Sequence, residues 1–267
     1  MSKIGKLFKA FGLIARQPSL LNHVLDDNEQ WKKKVKEKYG IDAGLPVVAL
    51  DTFLKEAKVN PYSFLDGTSL VTDLALLRAL ASRFTGCSYF EIGTWRGESV
   101  ANVAEVAEEC YTLNLPAHEM EQMGLDKKYI ALHGFYSQNL HNVKHLHHNS
   151  LTFDFRSLGK KFDLIFVDGD HHYESVRKDT AGVFSLLKDE HSIIVWHDYA
   201  SHPESVRWEV LCGILNGIPA SEHKNLYQVS NTLCCIYSKK PLPSEKPGKF
   251  ALPVLNFSID LSIKRAT

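Results

Sequence analysis

The sequence has no excess of charge of either sign and no long hydrophobic run. Lysine plus arginine number 31 and aspartate plus glutamate also number 31, so the formal net charge is zero. The overall charge therefore gives no indication of a nucleic-acid partner. No run reaches the roughly 20 apolar residues that a transmembrane helix needs. At 267 residues and 44% hydrophobic content, the chain can form one large domain with a well-buried core, with or without extensions.

Cysteine is scarce, and its pattern does not indicate disulfides. The five residues form no C-x-x-C motif, and their number is odd; they are Cys87, Cys110, Cys212, Cys234 and Cys235. A disulfide framework is not expected in a chain of this size, so a reducing compartment is favoured. The N-terminus also lacks the apolar segment and the small-residue cleavage site of a signal peptide. These absences predict a cytoplasmic protein.

From about residue 69, strand-like apolar runs alternate with helical patterns. The pattern predicts helices near 69–83, 98–109, 118–124, 173–188 and 204–215, and strand-like runs near 88–93, 110–115, 142–146, 150–155, 162–169, 192–198, 226–230 and 233–238. Such alternation predicts right-handed crossovers and a mostly parallel sheet covered by helices on both faces. The fold class is therefore α/β, a doubly wound Rossmann-like sheet with an N-terminal helical extension, closed by a hairpin-like pair of late strands.

Three regions follow from this pattern. Residues 1–68 are predicted to be a helical extension or cap, which includes a charged helix that ends at Gly40. Residues 69–240 are predicted to be the Rossmann-like domain. Residues 241–267, which contain several prolines, are predicted to be an extended tail over the surface that can dock on a neighbouring chain.

Residues 3–17 have the pattern of a basic amphipathic helix. One helical stripe is apolar, and the basic residues lie mostly off it. The stripe consists of Ile4, Leu7, Phe8, Phe11 and Ile14, and the basic residues are Lys3, Lys6, Lys9 and Arg16. We expect a cap helix that packs on the domain; the second interpretation is a helix that lies on an anionic membrane surface.

The stretch YFEIGTWRG, residues 89–97, places Glu91, Gly93 and Gly97 at E-x-G-x-x-x-G spacing after a strand-like run. Glycine lacks the Cβ that keeps a ligand away from the backbone, and the N–H groups at the following helix start favour a polar or anionic group. The fingerprint G-x-G-x-x-G is absent, which disfavours a nicotinamide or flavin cofactor. The alternative is a tight strand-to-helix turn with no ligand.

Two further carboxylates follow apolar strand-like runs, in FDLIFVDGDHHYESVRKD from residue 162 and in IIVWHDY from residue 193. Asp168 and Asp198 each end such a run, where the side chain would project into a cleft. Two carboxylates from neighbouring strand ends can bind a hard cation such as Mg²⁺. The alternative is that both contact the substrate or cap helices.

These motifs together resemble the class I S-adenosylmethionine-dependent methyltransferases. E-x-G-x-x-x-G is similar to their motif I, and D-G-x-H-x-Y followed by H-D-Y resembles a bacterial subfamily. Sugar O-methyltransferases of macrolide pathways and cephalosporin-hydroxylase-like proteins look similar around these elements. The resemblance runs from Tyr89 to Tyr199 with its motifs in the right order.

The resemblance implies S-adenosylmethionine as cofactor and a set of site residues. The implied cofactor-binding residues are Glu91, Gly93, Thr94, Trp95, Gly97, Asn114, Asn149, Ser150 and Asp168. His171 matches the general base, and His172 could exchange roles with it. Asp168 and Asp198 match metal ligands for Mg²⁺. His197 stands where those enzymes have an acidic residue, which leaves room for a softer metal or for none.

Asn114 and Asn149 depart from the resemblance, because acidic residues are usual or common at these two positions. Asparagine can still hydrogen-bond a hydroxyl or an amine, but it lacks the strength that a charge adds. Cofactor binding is therefore expected to survive and to be weaker. A pocket that no longer binds the cofactor is the alternative.

A histidine cluster, HNVKHLHH, lies between likely surface elements and includes His141, His145, His147 and His148. A helix would place His141 and His145 on one face, which is one pattern for a zinc site. The sequence offers no third ligand at a convincing spacing, so loop histidines are the favoured interpretation.

Four hypotheses about function follow. The first is an enzyme that methylates a hydroxyl of a small-molecule or sugar acceptor, with N-methylation still open. The second is a non-catalytic binding module that keeps the fold. The third is a hydroxylase-like relative, although the sequence offers no obvious redox residues, and the fourth is an envelope-associated enzyme. A homo-oligomer is compatible with each of them, and no nucleic-acid partner is expected.

Overall fold

The computed structural model describes residues 2–17, 27–60, 62–248 and 252–265. Its helices are α1 Lys3–Arg16, α2 Asn28–Tyr39, α3 Val71–Ala81, α4 Glu98–Ala104, α5 Ala117–Gln122, α6 Lys127–Ile130, α7 Tyr173–Phe184 and α8 Trp208–Gly217. Its strands are β1 Val47–Val48, β2 Ser88–Ile92, β3 Glu109–Asn114, β4 Val143–His147, β5 Leu164–Val167, β6 Ile193–Trp196, β7 Ala200–His202, β8 Ser205–Val206, β9 Leu226–Val229 and β10 Cys235–Ser238.

Eight of these strands form one sheet in the order β1-β9-β10-β6-β5-β2-β3-β4. The pairs β2–β3, β3–β4, β2–β5 and β5–β6 are parallel. Strand β10 is antiparallel to both β6 and β9. The predicted doubly wound, mostly parallel sheet with a closing hairpin is therefore confirmed.

Strands β2, β5 and β6 are buried along their whole length, which explains why their sequences are nearly continuous apolar runs. One face of the sheet packs on α7 and α8 through residues such as Val183 and Ile214. The other face packs on α3 and α4 through residues such as Leu77 and Val103. The predicted helix layers on both faces are therefore present.

The chain reverses its direction of growth across the sheet at β2. Strands β3 and β4 follow on one side of it, whereas β5 and β6 follow on the other. In open α/β sheets, ligands bind beyond the carboxyl ends of the strands at such a reversal. The loops that follow Ile92, Asn114, Val167 and Trp196 are therefore the place to look for a site.

Some predicted boundaries and one predicted helix face are wrong. The helix expected over 98–109 ends at Ala104, and Glu109 begins β3 opposite Ser88 of β2. The helix expected from residue 204 begins at Trp208, because residues 205–206 pair with β7. His145 lies in β4, so it shares no helix face with His141. In each case strand pairing across the fold overrides the local helical pattern.

The predicted N-terminal extension contributes a strand to the sheet. Strand β1 pairs in parallel with β9, and Val47 also forms an antiparallel bridge with Glu245 of the predicted tail. The division at residues 68 and 240 stays a prediction. Beyond Glu245, residues 252–265 contain no helix or strand and keep most of their apolar side chains exposed.

Helix α1 differs from the expected packed cap, because none of its residues is buried. Its apolar stripe is largely exposed, and Phe8 and Phe11 are 72% and 62% exposed. Within the described ranges, no helix is both long enough and apolar enough to cross a membrane.

Candidate active site

The loop after β2 needs its glycines because protein atoms lie where a Cβ would be. Gly93 has φ +96°, and a Cβ there would overlap the carbonyl oxygen of Asp168 at the end of β5. Gly97 has φ +83°, and a Cβ there would overlap the Ser137 side chain. Both conformations favour glycine. The expected role of opening space for a ligand is thus joined by a packing role inside the chain.

Glu91 lies completely inside the protein beneath this loop. Its carboxylate accepts hydrogen bonds from Tyr89 Oη at 2.7 Å, Thr112 Oγ1 at 2.7 Å and Ser99 Oγ at 2.9 Å. Burial raises the pKa of Glu91 to about 7, although the three hydroxyl groups oppose the shift. Thr94 is also buried, and its hydroxyl contacts that of Thr112. Both predicted cofactor residues, Glu91 and Thr94, therefore lie in a network that supports the loop from below.

Trp95 projects from the loop towards α6. It has φ +42°, and its ring lies 4.6 Å from the ring of Tyr129 and 4.9 Å from that of His133. The backbone N–H groups of Gly134 and Tyr136 donate to the carbonyl oxygens of Trp95 and Arg96. The segment after α6 thus covers one side of the loop. The indole Nε1 is buried and has no hydrogen-bond partner among the described residues.

Asn114 and Asn149 lie at the ends of neighbouring strands, and the N–H of His148 donates to Asn114 O at 2.9 Å. Asn114 Nδ2 donates to the carbonyl oxygen of Leu115 at 3.2 Å. Asn149 Nδ2 donates to Glu119 Oε2 at 3.1 Å. A carboxylate at position 149 could not donate this bond and would repel Glu119, which is a local reason for asparagine there.

Ser150 lies beside a buried acidic residue that the sequence motifs did not indicate as part of the site. Its side chain hydrogen-bonds Asp179 of α7, which is 1% exposed. Burial raises the pKa of Asp179 to about 6, and its Oδ1 has no partner in the described part of the chain. Ser150 and Asn149 thus bring Asp179 and Glu119 to the end of β4.

Asp168 and His197 end the neighbouring strands β5 and β6 and face each other. His197 Nδ1 is 3.0 Å from Asp168 Oδ1 and 3.6 Å from Asp198 Oδ2. Asp198 has φ +56°, a strained conformation for a residue other than glycine. One ligand atom from each of these three residues lies within 4.8 Å of the other two, a grouping that could hold a metal ion.

The other nitrogen of His197 contacts Asp73 of α3, at 3.2 Å between Nε2 and Oδ2. Asp73 is completely buried and also accepts hydrogen bonds from the N–H groups of Leu70 and Leu233. Burial lowers the pKa of His197, but the charge of Asp168 and the bonds to the three carboxylates outweigh it and hold this pKa well above its usual range. For Asp198, burial is outweighed by the contact with His197, and its pKa is lowered.

Asp73 was not predicted as a site residue, although the sequence carries a signal for it. It is the only acidic residue in VTDLALLRALA, which otherwise reads as a buried helix. An acidic residue that is fully buried usually has a charged partner, and here that partner is His197.

His171 and His172 have different surroundings, although they are adjacent in the chain. His172 Nδ1 lies 2.5 Å from Asp170 Oδ1, and this bond raises the pKa of His172. His171 is exposed and lies near Asp198, whose pKa is lowered despite burial, chiefly by His197 and to a smaller extent by Arg207 and His171. A small cavity connects these groups; its lining includes Asp168, His171, His197 and Asp198. Tyr173 and Tyr199, which follow the two strand-end motifs, are not in this lining, and Tyr199 is buried in the core.

The histidine cluster forms no comparable grouping. His145 and His147 lie two residues apart on β4 with their rings 6.4 Å apart. In the ranges that the structure describes, the only candidate metal group is the one formed by Asp168, His197 and Asp198.

The central part of the chain is similar to a known family. The family model described as a methyltransferase domain matches residues 90–199. This match covers less than half of the 267-residue chain. This segment begins in β2 and ends just after Asp198, so it contains the loop, both asparagines, the strand-end aspartates and His171. This match supports the predicted enzyme class, a methyltransferase.

Solved structures with a similar course of the chain include three named proteins. The methyltransferase CalS10 from Micromonospora echinaspora, described as SAM-bound and acting on an amino pentose, is 17% identical with a TM-score of 0.34 over 47% of each chain. An O-methyltransferase family protein from Burkholderia thailandensis is 15% identical with a TM-score of 0.34, over 49% of this chain and 38% of its own. Cofactor-bound Rv0187 from MTB is 17% identical with a TM-score of 0.45, over 67% of this chain and 85% of its own.

The chain spans about half or less of the length of the first two of these proteins. At these TM-scores, the likenesses decide nothing about the reaction. No curated protein matches the sequence.

Proposed function

We propose that this chain transfers the methyl group of S-adenosylmethionine to a hydroxyl group of a small molecule, such as a sugar or a glycan-linked acceptor. The observation that carries the proposal is the cavity that His171, Asp168 and Asp198 line together, within the segment that matches a methyltransferase domain. A base, two carboxylates and a cofactor loop at one edge of the sheet are the parts that methylation of a hydroxyl needs.

The cofactor, when bound, supplies a methyl group on a positively charged sulfur. The loop 93–97 lies where the methionine part would be held, and the end of β2 is in register with Leu113 of β3 and Val167 of β5. Asn114 follows Leu113 and suits a ribose hydroxyl, whereas Asn149 and Ser150 suit the adenine. The unpartnered Nε1 of Trp95 offers a donor beside the loop. Glu91 and Thr94 would hold the loop in shape from beneath.

His171 is proposed as the general base. It is exposed and lines the same cavity as Asp168 and Asp198, so an acceptor hydroxyl can reach its ring. An imidazole takes up a proton near neutral pH, which suits removal of the hydroxyl proton. His172 is held by Asp170, and we assign it no part in proton transfer.

A divalent cation fits between Asp168, His197 and Asp198. Nδ1 of His197 faces the carboxylates of Asp168 and Asp198 at 3.0 and 3.6 Å without a well-aligned hydrogen bond, and Nε2 faces the carboxylate of Asp73. A carboxylate behind a histidine in this manner orients the ring towards a metal. Such a cation would orient acceptor oxygens and lower the pKa of the attacked hydroxyl. Because two of the three donors are carboxylates and the third is an imidazole, we propose Mn²⁺, a transition-metal ion that prefers oxygen ligands, instead of the predicted Mg²⁺.

A second candidate is a module that keeps the fold without turnover. It is favoured by the burial of Glu91 and by the protein atoms that fill the space beside Gly93 and Gly97. The two candidates differ in product formation, because only an enzyme releases S-adenosylhomocysteine in the presence of an acceptor.

Calorimetric titration of the purified chain with S-adenosylmethionine and S-adenosylhomocysteine, with and without Mn²⁺ and Mg²⁺, is the first test. We expect both ligands to bind. A panel of sugars is then screened by mass spectrometry for an added methyl group, with His171→Ala as the catalytic variant and His172→Ala as its matched control. A folded sample that binds neither ligand would contradict the proposal, and binding without any methylated product would favour the module.

A further inference from the structure

Helix α1 presents an apolar stripe that nothing in the described part of the chain covers. Ile4, Leu7, Phe8 and Phe11 follow the i, i+3, i+4, i+7 spacing of one helix face. Their side chains are 56–72% exposed, and no residue of α1 is buried. The helix begins at a regular cap, where Ser2 Oγ accepts from the N–H of Gly5 at 3.2 Å. The exposed stripe therefore belongs to a well-formed helix of 14 residues, about 21 Å long.

The charges of α1 are all of one sign. The helix contains no aspartate or glutamate, and its basic residues are Lys3, Lys6, Lys9 and Arg16. At 3.6 residues per turn, Lys6 and Lys9 project away from the apolar stripe. The rest of the chain balances this charge, because the formal net charge of the whole sequence is zero. The excess of basic charge is thus confined to α1, and most of it lies on the side of the helix opposite the exposed apolar stripe.

We propose that α1 lies in the interface of a membrane with an anionic surface and attaches the methyltransferase domain to it. An apolar face can enter the boundary between headgroups and acyl chains while basic residues remain at the level of anionic headgroups. Charge complementarity favours this partner over a second copy of the chain, because anionic headgroups offer the opposite charge to the basic residues of α1, whereas a second α1 offers only the same charge. The inference concerns the location of the protein and does not rest on the proposed reaction.

The test is flotation of the full chain with vesicles of phosphatidylcholine alone or mixed with phosphatidylglycerol. We expect the protein to float with the anionic vesicles, to float less with the neutral ones and to be released by high salt. Lys6→Gln together with Lys9→Gln should weaken binding to anionic vesicles about tenfold or more.

Two single substitutions distinguish the effect of the apolar stripe on membrane binding from the effect of an added negative charge. Phe11→Glu places a carboxylate on the apolar stripe, whereas Leu13→Glu places the same charge on the opposite side of the same helix. Phe11→Glu should abolish flotation and Leu13→Glu should largely preserve it, with circular dichroism as the check that both variants fold. Equal loss in the two variants would contradict a role for the stripe.

Light scattering after gel filtration addresses the competing partner. We expect a mass that does not change in Phe11→Glu. A mass of two or more copies that falls to one copy in Phe11→Glu, without flotation of the unmodified chain, would overturn the proposal in favour of self-association. Failure to float leaves the titrations with S-adenosylmethionine unaffected, so the two proposals are tested separately.

Discussion

Nε2 of His197 and Oδ2 of Asp73 lie 3.2 Å apart, although 124 residues separate them in the chain. This contact joins α3, on one face of the sheet, to the end of β6 at the candidate active site. Asp73 lies outside the matched methyltransferase domain. A residue from the flanking part of the chain therefore helps to orient a side chain of the site.

Replacing Asp73 should show how much the contact with His197 contributes to the free energy of unfolding. Asp73→Asn removes one of the three carboxylates around the charge of His197, and the loss of a buried partner of this kind costs about 3 kcal/mol. Chemical denaturation of Asp73→Asn, His197→Gln and the double variant gives the coupling free energy. We expect about 1–3 kcal/mol. A coupling near zero would show that the two residues act independently.

Glu91 should make stability fall with rising pH. Its pKa is about 7 in the folded chain and 4.5 in the reference state, so the folded chain binds more protons between these values. The stability that Glu91 contributes is therefore fully present below pH 4.5. It is lost as the pH rises through 7, which lowers the free energy of unfolding by about 3 kcal/mol. Glu91→Gln should remove this part of the pH dependence in thermal unfolding. An unchanged pH profile in the variant would assign the dependence to other groups.

Gly97 should tolerate no side chain unless Ser137 is also changed. Gly97→Ala must adopt φ +83° and push its methyl group against Ser137, which should cost about 2 kcal/mol or more. Ser137→Gly removes the overlapping atoms, so the double variant should regain part of the stability. Thermal unfolding of the three variants measures this. Additive losses in the double variant would contradict the packing role.

His171 and His172 should differ in their effect on turnover. His171→Ala removes the proposed base and should lower kcat by about 10²–10⁴-fold, with little change in the Kd for S-adenosylhomocysteine. His172→Ala loses only a partner of Asp170 and should keep most of the activity. Single-turnover rates with an identified acceptor and calorimetry with the cofactor product separate the two effects. Equal losses in both variants would remove the distinction between them.

Bound Mn²⁺ should show a nitrogen ligand from His197. Pulsed electron paramagnetic resonance of the Mn²⁺-loaded chain is expected to contain a ¹⁴N modulation, because Nδ1 lies among the three candidate ligand atoms. His197→Asp keeps an oxygen donor at this position and should bind Mn²⁺ without that modulation. His171→Ala is the control and should retain it. A nitrogen signal that persists in His197→Asp would identify a different ligand.

The fold class could be predicted from sequence because the physical causes are local and repeated. Apolar runs such as those around β5 and β6 must be buried on both faces, and the intervening helical patterns supply the covering layers. The strand ends then place Asp168 and Asp198 at one edge of the sheet, since parallel neighbours share their carboxyl ends. The amino-acid sequence by itself thus locates the motifs of the domain.

What the tertiary structure alone decided is the set of partners that each side chain finds. Glu91 is buried and accepts hydrogen bonds from three hydroxyl groups. Packing across the sheet brings Asp73 into contact with His197. Residues 143–147, most of which fall in a predicted strand-like run, took the edge position of the sheet because β3 offered them a ladder of hydrogen bonds. Such outcomes depend on contacts between distant residues, whose free energies exceed the local preferences that a sequence displays.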